Sequence, residues 1–476
     1  MIGLIQNEDL YNYDIRSILQ AFFDNEKIVE DILETRFQLK VEYGAEMTKV
    51  ILIEDTKPEI SRTLEGDYTQ KETFKNPFKL LIYDILSEYT KKSLPWGTMT
   101  GIRPTKVALK LLEEDAFEES ILEHYQKEYG TTKQKAKLCL EVAKKEKSLL
   151  EKVQYEDGYS LYIGIPFCPS TCLYCSFTSY PIGIYKDKID AYLDALEKEL
   201  QFVAQSCSHK KLQTIYIGGG TPTSLLAKHL NRLLASVNRE FDLSHLLEFT
   251  VEAGRPDSIT EDKLIALKEG GVKRISINPQ TMNDATLKLI GRNHTSKMVE
   301  ETYQLARSLG FDNINMDMIT GLPSEEIKEV QNTISAITAL KPDSITVHSL
   351  AIKRAANLTA KRKEFESMIK GSTNEMLEVV DANTRMLGLV PYYLYRQKNI
   401  PGNLENVGYA LPGKECIYNI LIMEEKQDII AVGAGTSSKF VFPEENRIER
   451  VENVKNVEHY MERIDEMIKR KQAFLS

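Results

Sequence analysis

The sequence predicts an α/β fold: a TIM-like parallel barrel of βα units, complete or partial, flanked by an N-terminal α/β domain and a mixed C-terminal extension. From about residue 155, apolar segments alternate with helical patterns. The six segments are LYIGIPF, TIYIGGG, EFTVEAG, RISINPQ, NINMDMITGL and SITVHSLAI. Six such units favour a parallel sheet, most simply a partial (βα)6 barrel, with its chemistry at the carboxyl ends of the strands. We expect domains at 1–154, 155–375 and 376–476.

The first domain carries no obvious catalytic chemistry. FQLKVEYG and KVILIED predict two strands around a Gly-Ala turn, and YNYDIRSILQAFF and NPFKLLIYDILSEYTKK predict helices. RPTKVALKLL reads as a helix that Pro104 opens. Trp96 and Arg103 lie beside this helix. For these two residues, packing in a hinge between domains is favoured over contact with a ligand.

The last hundred residues are mixed in pattern. NEMLEVVDANTRMLGL predicts a helix and VPYYLYRQ a strand, while IIAVGAGTSSKFVF predicts two strands about a glycine turn. The tail from Val451, VENVKNVEHYMERIDEMIKRKQAF, predicts a charged amphipathic helix.

Composition excludes several classes of protein. The chain of 476 residues has a net charge of −9, which argues against a protein that tracks nucleic-acid phosphates. Its N-terminus lacks the apolar region of a signal peptide, and no apolar run reaches the length of a membrane span. Six cysteines, three of them clustered, indicate metal chemistry in a reducing compartment and not a disulfide framework. We therefore expect a cytoplasmic protein without nucleic-acid or membrane partners.

The clustered cysteines are Cys168, Cys172 and Cys175, spaced C-x3-C-x2-C directly after the first barrel strand. Thiolates bind soft metals and iron–sulfur clusters. Three in one loop can hold three irons of a cubane and leave the fourth open to a substrate or cofactor. A structural zinc site is the weaker alternative, because zinc takes four ligands and no second cysteine pair exists. A chance grouping of buried cysteines is the third interpretation.

Polar residues and glycines end the later barrel strands. Gly218, Gly219, Gly220 and Thr221 follow the second strand, where glycines let the backbone approach a ligand. Glu252, Gln280 and Asp317 end the next three strands, and a carboxylate there can accept hydrogen bonds from an ammonium group or ribose hydroxyls. Arg292 follows the fourth strand and can bind a carboxylate.

With these residues in view, the chain resembles the radical S-adenosylmethionine (SAM) enzymes. It most resembles the oxygen-independent coproporphyrinogen III oxidase (HemN-like) group, closest to its HemZ branch. The resemblance covers roughly residues 155–440. The motifs that carry it are LYIGIPFCPSTCLYCSF, IGGGTPT, VEAGRPD, RISINPQTMND, LIGRNHT, INMDMITGLP and GAGTSS. LPWGTMTGIRP resembles the N-terminal unit of the HemZ branch.

The resemblance implies roles for individual residues. The three cysteines would hold a [4Fe–4S] cluster whose open iron is chelated by the amino and carboxylate groups of SAM. Tyr174 would contact the adenine. The remaining SAM contacts would be Gly219, Gly220 and Thr221 at the methionine part, Gln280, Arg292, Asp317 and Ala351 at the ribose, carboxylate and adenine, and Tyr162 and Glu252 at a second SAM.

The resemblance also implies an activity: oxidative decarboxylation of coproporphyrinogen III propionates to vinyl groups in haem biosynthesis, giving protoporphyrinogen IX. An electron donor such as flavodoxin or ferredoxin would be the partner. Phe177 stands where the oxidases proper carry a further cysteine, and phenylalanine there is also typical of the haem chaperones (HemW). The HNxxYW phrase of those chaperones is absent, and ECIYNILI is the nearest stretch. Haem trafficking, or radical SAM chemistry on another substrate, are the alternatives.

Further tetrapyrrole contacts have weaker support. The basic run of Lys353, Arg354, Lys361, Arg362 and Lys363 fits a solvated face better than a propionate site. Tyr392, Tyr393 and Tyr395 with Arg396 fit a strand in the core better than a porphyrin platform. His294 and His348 are possible haem ligands or proton donors.

Overall fold

The computed structural model describes residues 1–23, 26–30, 35–175, 179–351, 368, 371–397 and 403–475. It divides into two compact units. Unit 1 comprises Met1–Lys144, Gly371–Asn374 and Leu394–Glu405, and unit 2 comprises Lys145–Lys370, Glu375–Tyr393 and Asn406–Ser476. The division into three domains at 154 and 375 stays a prediction.

Unit 1 contains a five-stranded sheet: β1 Ile2–Gln6, β2 Ile28–Val29, β3 Phe37–Tyr43, β4 Met47–Glu54 and β5 Lys57–Glu65. The strand order is β2-β1-β3-β4-β5, with β1 parallel to β2 and β3, and β3, β4 and β5 antiparallel. Helices α1 Asn12–Phe22 and α2 Lys71–Thr90 pack with the sheet around one apolar core. The predicted β3–β4 pair and both helices are confirmed, while β1 and β5 were not predicted.

Three further helices complete this region: α3 Thr105–Glu113, α4 Glu118–Tyr129 and α5 Lys133–Leu150. Trp96 is fully buried, and its indole Nε1 donates to Glu405 Oε2 at 2.6 Å. Lys135 Nζ donates to the other oxygen of that carboxylate at 2.5 Å. Trp96 is therefore a core residue of unit 1.

Unit 2 is organised around a sheet that has eleven strands in the described residues. Its order is β14-β15-β13-β12-β11-β10-β9-β6-β16-β17-β18. A two-residue pair, β7 with β8, lies apart from it. The strands are β6 Gly158–Ile165, β7 Phe167–Cys168, β8 Tyr180–Pro181, β9 Lys211–Gly219, β10 Glu248–Gly254, β11 Arg274–Ile277, β12 Ile314–Thr320, β13 Ser344–Ser349, β14 Val390–Arg396, β15 Glu405–Ala410, β16 Asp428–Val432, β17 Ser437–Phe442 and β18 Arg447–Glu452.

The central strands β6, β9, β10, β11, β12 and β13 are parallel neighbours in chain order. This confirms the predicted six βα units. The helices are α6 Ile182–Tyr185, α7 Ile189–Ser206, α8 Ala227–Glu240, α9 Glu261–Glu269, α10 Asp284–Leu289, α11 Ser296–Ser308, α12 Ile327–Leu340, α13 Asn374–Met386, α14 Ile417–Glu424, α15 Val457–Glu462 and α16 Ile464–Leu475, with 3-10 turns at Lys186–Lys188, Pro222–Ser224 and Pro256–Ser258.

The C-terminal strands extend the sheet on the β6 side. β16 is parallel to β6, and β17 and β18 follow as an antiparallel hairpin. The prediction of a helix starting at Val451 was wrong at its first residues. Val451 is buried in β18 opposite Ser438, so cross-strand pairing decides its conformation, and α15 starts only at Val457.

The parallel strands alternate apolar and polar side chains. Leu161 and Ile163 of β6 are buried on one face, and Ser160 and Tyr162 fall on the other because the strand period is two. The register extends the polar face across the sheet. Its members are Ser160, Tyr162, Thr214, Tyr216, Glu248, Thr250, Glu252, Arg274, Ser276, Asn315, Asp317, Ser344, Thr346 and His348. Parallel strands with apolar contacts on both faces show continuous apolar runs instead, so this face suits a polar ligand.

Candidate functional site

The cysteine loop lies against the glycine-rich end of β9. Gly220 N donates to Ile165 O, and Thr221 N donates to Phe167 O, each at 2.8 Å. Thr221 Oγ1 is 3.5 Å from Cys168 Sγ. Burial raises the pKa of the Cys168 thiol to about 11, so a bound metal is what would hold it as a thiolate.

Glycine is required where β9 meets this loop. A Cβ atom at Gly220 would lie 2.6 Å from Phe167 O and 3.0 Å from Cys168 Sγ. Gly219 has φ +111°, a conformation that other residues rarely adopt. The close backbone approach predicted from the three glycines is present, and here the approached group is a cysteine.

The other side of the loop contacts the segment after α10. Leu173 N donates to Ile290 O at 3.0 Å, and Ser170 Oγ donates to Gly291 O at 3.3 Å. Arg292 lies beside Tyr174 and Cys172; burial opposes its charge, but those two groups outweigh the burial and raise its pKa. Arg292 and Tyr174, both predicted site residues, are therefore brought together at the cysteines.

Arg255 is a neighbour of the loop that the sequence reasoning missed. It follows β10 and is 3% exposed. Its Nη1 donates to Ser170 Oγ at 2.7 Å and lies 3.7 Å from Cys172 Sγ. The VEAGRPD motif was the available signal, but it was used only for the resemblance and not for a role of its arginine.

Gln280 and Asp317 meet through their backbones. Gln280 N donates to Asp317 O at 3.0 Å, and Ile319 N donates to Gln280 O at 2.9 Å. Gln280 has φ 68°, an uncommon left-handed conformation for a residue with a side chain. Such strain concentrates at ligand sites. Among the described residues, no hydrogen-bond partner is found for the buried Gln280 Oε1.

A stack of tyrosines lies on the polar face of the sheet. The rings of Tyr162 and Tyr216 are 6.0 Å apart, and those of Tyr216 and Tyr418 are 4.5 Å apart, all nearly parallel. Tyr216 Oη donates to Glu252 Oε1 at 2.6 Å. Tyr162 and Glu252 were predicted for the site, whereas Tyr216 and Tyr418 were missed. Tyr392, fully buried, is a core residue as the strand pattern favoured.

Two carboxyl groups of this face have divergent acidities. Burial raises the pKa of Glu252 to about 7, and the charge of Asp317 adds to the rise. Burial also opposes ionisation of Asp317, but hydrogen bonds from His348 and Asn315 outweigh it and lower its pKa. Environments that separate two carboxyl pKa values this way are typical of functional sites.

Burial lowers the pKa of His294 to about 4, so this imidazole is neutral near pH 7.

Some predicted residues have little or no structural description. Ala351 is the last described residue after β13, directly before the gap at 352–367. Phe177 and the basic residues Lys353, Arg354, Lys361, Arg362 and Lys363 lie outside the described residues.

The residues present fit a cubane cluster with a bound cofactor. In the described part of the chain, no group of three His, Cys, Asp or Glu side chains converges on a single ion. The ligands of a cubane bind separate irons, and Cys168, Cys172 and Cys175 supply the three thiolates that such a cluster takes. Buried polar atoms near the loop or on the strands beyond it also lack protein partners among the described residues: Gln280 Oε1, Arg292 Nε, Asn278 Oδ1 and Ser276 Oγ. Such atoms suit a polar ligand.

Comparison with known proteins agrees with this geometry. The radical SAM superfamily profile matches residues 162–337. The chain belongs to the radical SAM superfamily and, within it, to the family of oxygen-independent coproporphyrinogen-III oxidase-like proteins. Its cofactors are accordingly a [4Fe–4S] cluster and SAM.

Individual relatives define the relationship further. The chain is 41% identical over 426 residues to the oxygen-independent coproporphyrinogen-III oxidase-like protein HemZ of Bacillus subtilis, covering 88% of this chain and 85% of the relative. The heme chaperone HemW of the same organism is 34% identical, over 64% of this chain and 76% of its own. The solved coproporphyrinogen III oxidase (HemN) of Escherichia coli shares the fold, with a TM-score of 0.53 at 24% identity, over 67% of this chain and 72% of that one.

Proposed function

We propose that this protein is a radical SAM oxidoreductase that converts propionate side chains of coproporphyrinogen III to vinyl groups without oxygen, giving protoporphyrinogen IX in haem biosynthesis. The observation that carries the proposal is the 41% identity, over 88% of the chain, to a coproporphyrinogen-III oxidase-like protein. The cysteine loop beside a polar sheet face supports it, since this arrangement suits a cluster next to a polar cofactor.

When bound, the cluster would supply one-electron reduction and SAM would supply hydrogen-atom abstraction. Loss of that hydrogen atom, of carbon dioxide and of one electron to a one-electron acceptor would leave the vinyl group. Cys168, Cys172 and Cys175 are the proposed cluster ligands and catalytic residues. The backbone of Gly219 and Gly220 with Thr221 Oγ1 forms the proposed wall for the methionine part of SAM. This assignment is supported by the contact of that wall with Cys168.

The remaining assignments give a protein contact to each of the other polar groups of SAM. Tyr174 would contact the adenine, and Arg292 would hold the SAM carboxylate with its cationic guanidinium. Gln280, Asp317 and Ala351 would contact the ribose and adenine. The buried Gln280 Oε1, for which the described part of the chain offers no partner, supports this assignment. Tyr162 and Glu252 would bind a second SAM on the tyrosine-lined part of the face.

The cellular setting follows from the chemistry. We propose a one-electron donor such as flavodoxin or ferredoxin as partner and the cytoplasm as location. A reducing compartment is consistent with six cysteines of which three are clustered as proposed metal ligands. We find no membrane-spanning helix in the described part of the chain.

Product analysis under anaerobic conditions tests the function. The reconstituted protein is incubated with coproporphyrinogen III, SAM and a chemical reductant, and a matched sample omits SAM. We expect 5′-deoxyadenosine, methionine and the vinyl product to form together, only in the complete mixture. SAM cleavage with an unchanged tetrapyrrole would contradict the proposed substrate.

Haem trafficking is the second candidate, favoured by the 34% identity to a heme chaperone and by Phe177. It predicts saturable haem binding, seen as a Soret band at one haem per chain, and no decarboxylation. The same protein preparation serves both measurements, so the two outcomes separate the candidates.

A further inference from the structure

Arg255 makes an unusual set of contacts for a buried arginine. Its Nε and Nη2 donate to Asp257 Oδ1 and Oδ2 at 2.9 and 2.7 Å, a bidentate pair that fixes the plane of the guanidinium. Its remaining nitrogen, Nη1, donates to Ser170 O at 3.0 Å and Ser170 Oγ at 2.7 Å, and it points at Cys172 Sγ at 3.7 Å. Asp257 thus orients the Arg255 guanidinium so that Nη1 faces the cysteine loop.

The charges around Cys172 give this contact a consequence. Arg255 is 3% exposed, and its guanidinium contacts the carboxylate of Asp257 at 2.7 Å and Cys172 Sγ at 3.7 Å. A cluster held by three thiolates gains one further negative charge when it takes up an electron. A cation and an N–H donor fixed beside a ligand sulfur stabilise that charge, and such hydrogen bonds set cluster potentials.

We propose that Arg255 is a positioning residue that holds the cysteine loop through Ser170 and, by its hydrogen bond to Cys172 Sγ, favours the reduced form of the cluster. The inference rests on the cluster of the proposed function but not on its substrate. None of the roles implied by the family resemblance includes Arg255.

The test is an anaerobic redox titration of the reconstituted protein, followed by the electron paramagnetic resonance signal of the reduced cluster, without SAM or substrate. In Arg255→Gln we expect a full iron complement and a midpoint potential that is more negative than in the unchanged protein. At the potential that half-reduces the unchanged protein, the ratio of reduced to oxidised cluster should fall about tenfold, equivalent to about 59 mV for one electron.

Asp257→Asn supplies a shift of opposite sign. The amide oxygen of the replacement still accepts from Arg255, and Ser170 still holds Arg255 Nη1, so the guanidinium stays beside Cys172. The Arg255 charge then lacks its compensating carboxylate, and the midpoint potential should become more positive. The matched control is Arg232→Gln, because Arg232 also makes a bidentate contact, with Glu197, but on the outer helices α7 and α8. Its potential should equal that of the unchanged protein.

An Arg255→Gln potential equal to that of Arg232→Gln, at full iron content, overturns the proposal. If Arg255→Gln does not retain iron, the midpoint potential of Asp257→Asn tests the proposal instead. A potential in that variant equal to or more negative than that of the unchanged protein overturns the proposal. Neither result depends on coproporphyrinogen, so failure of this inference is distinguishable from failure of the proposed function.

Discussion

Lys471 Nζ lies 2.7 Å from Glu199 Oε1, and neither side chain is exposed to solvent. This ion pair joins the C-terminal helix α16 to α7, the helix that follows the first barrel strand. Glu199 Oε2 also accepts hydrogen bonds from Gly433 N at 2.9 Å and from Tyr460 Oη at 2.5 Å. The glycine turn after β16 is thereby held by a carboxylate from the barrel, so the C-terminal extension is integral to unit 2.

Removing the cation of this pair should destabilise unit 2. Lys471→Met leaves the Glu199 carboxylate buried without its counter-ion, and we expect the free energy of unfolding to fall by about 3 kcal/mol. Urea denaturation followed by far-ultraviolet circular dichroism measures it, since the single tryptophan lies in unit 1. Lys198→Met is the matched control: Lys198 pairs with Asp465 across the same two helices but is exposed, so its loss should cost under about 0.5 kcal/mol. Equal losses in both variants would refute the argument.

Adding one methyl group beside the cysteine loop should impair cluster assembly. In Gly220→Ala, the new Cβ would collide with Phe167 O and crowd Cys168 Sγ, so the loop must shift. We expect iron content after reconstitution to fall at least about fivefold from about four iron atoms per chain. Gly183→Ala, where no atom lies within 4 Å of the new Cβ, should keep the full complement. Iron in Gly220→Ala at the level of Gly183→Ala would show that the contact is unimportant.

The three clustered cysteines should differ from the other three in their effect on iron. Cys172→Ala removes one proposed ligand, and we expect loss of the broad visible absorbance of the cluster together with loss of SAM cleavage. Cys207→Ala is the control: this thiol is also buried, at the end of α7, and burial raises its pKa to about 12. Colorimetric iron analysis compares the two, and a cluster that survives Cys172→Ala would exclude Cys172 as a ligand.

The pKa of Glu252 predicts a pH dependence of stability in the protein without cofactors. The folded-state pKa of about 7 exceeds the ordinary value of 4.5, so the folded protein binds more protons than the unfolded chain between these values. Stability therefore falls as pH rises through this window, and the loss is complete above about pH 7. Glu252→Gln cannot ionise at this position. Its free energy of unfolding, measured against that of the unchanged protein, should therefore rise by about 2 kcal/mol from about pH 5 to about pH 8, a figure reduced for partial exposure of the side chain.

Urea denaturation at the two pH values measures this difference. Glu156→Gln serves as the control, because Glu156 is exposed and its replacement should leave the pH profile unchanged. A Glu252→Gln profile parallel to that of the unchanged protein would mean that Glu252 ionises normally in the fold.

The barrel strands were predictable because their signal is local. Each segment, such as LYIGIPF or NINMDMITGL, carries its apolar periodicity within a few residues, and turn residues mark its end. The strand β5 was missed for the opposite reason. β5 is mostly exposed and polar, and its pairing with β4 outweighs its weak propensity. Val451 was likewise assigned to a helix from its charged surroundings, although sheet pairing places it in β18.

Spacing and periodicity along the chain specify the cysteine loop, the glycines beside it and the six-unit parallel sheet, so these features follow from local sequence. Tertiary structure decided which distant side chains meet. Arg255 reaches Cys172 across 83 residues, Tyr216 hydrogen-bonds Glu252 across 36, and Lys471 reaches Glu199 across 272. Strand register and helix packing bring these groups together, and no local pattern specifies either. The cluster could therefore be predicted from the cysteine loop alone, whereas the side chains that surround this loop could be identified only in the folded chain.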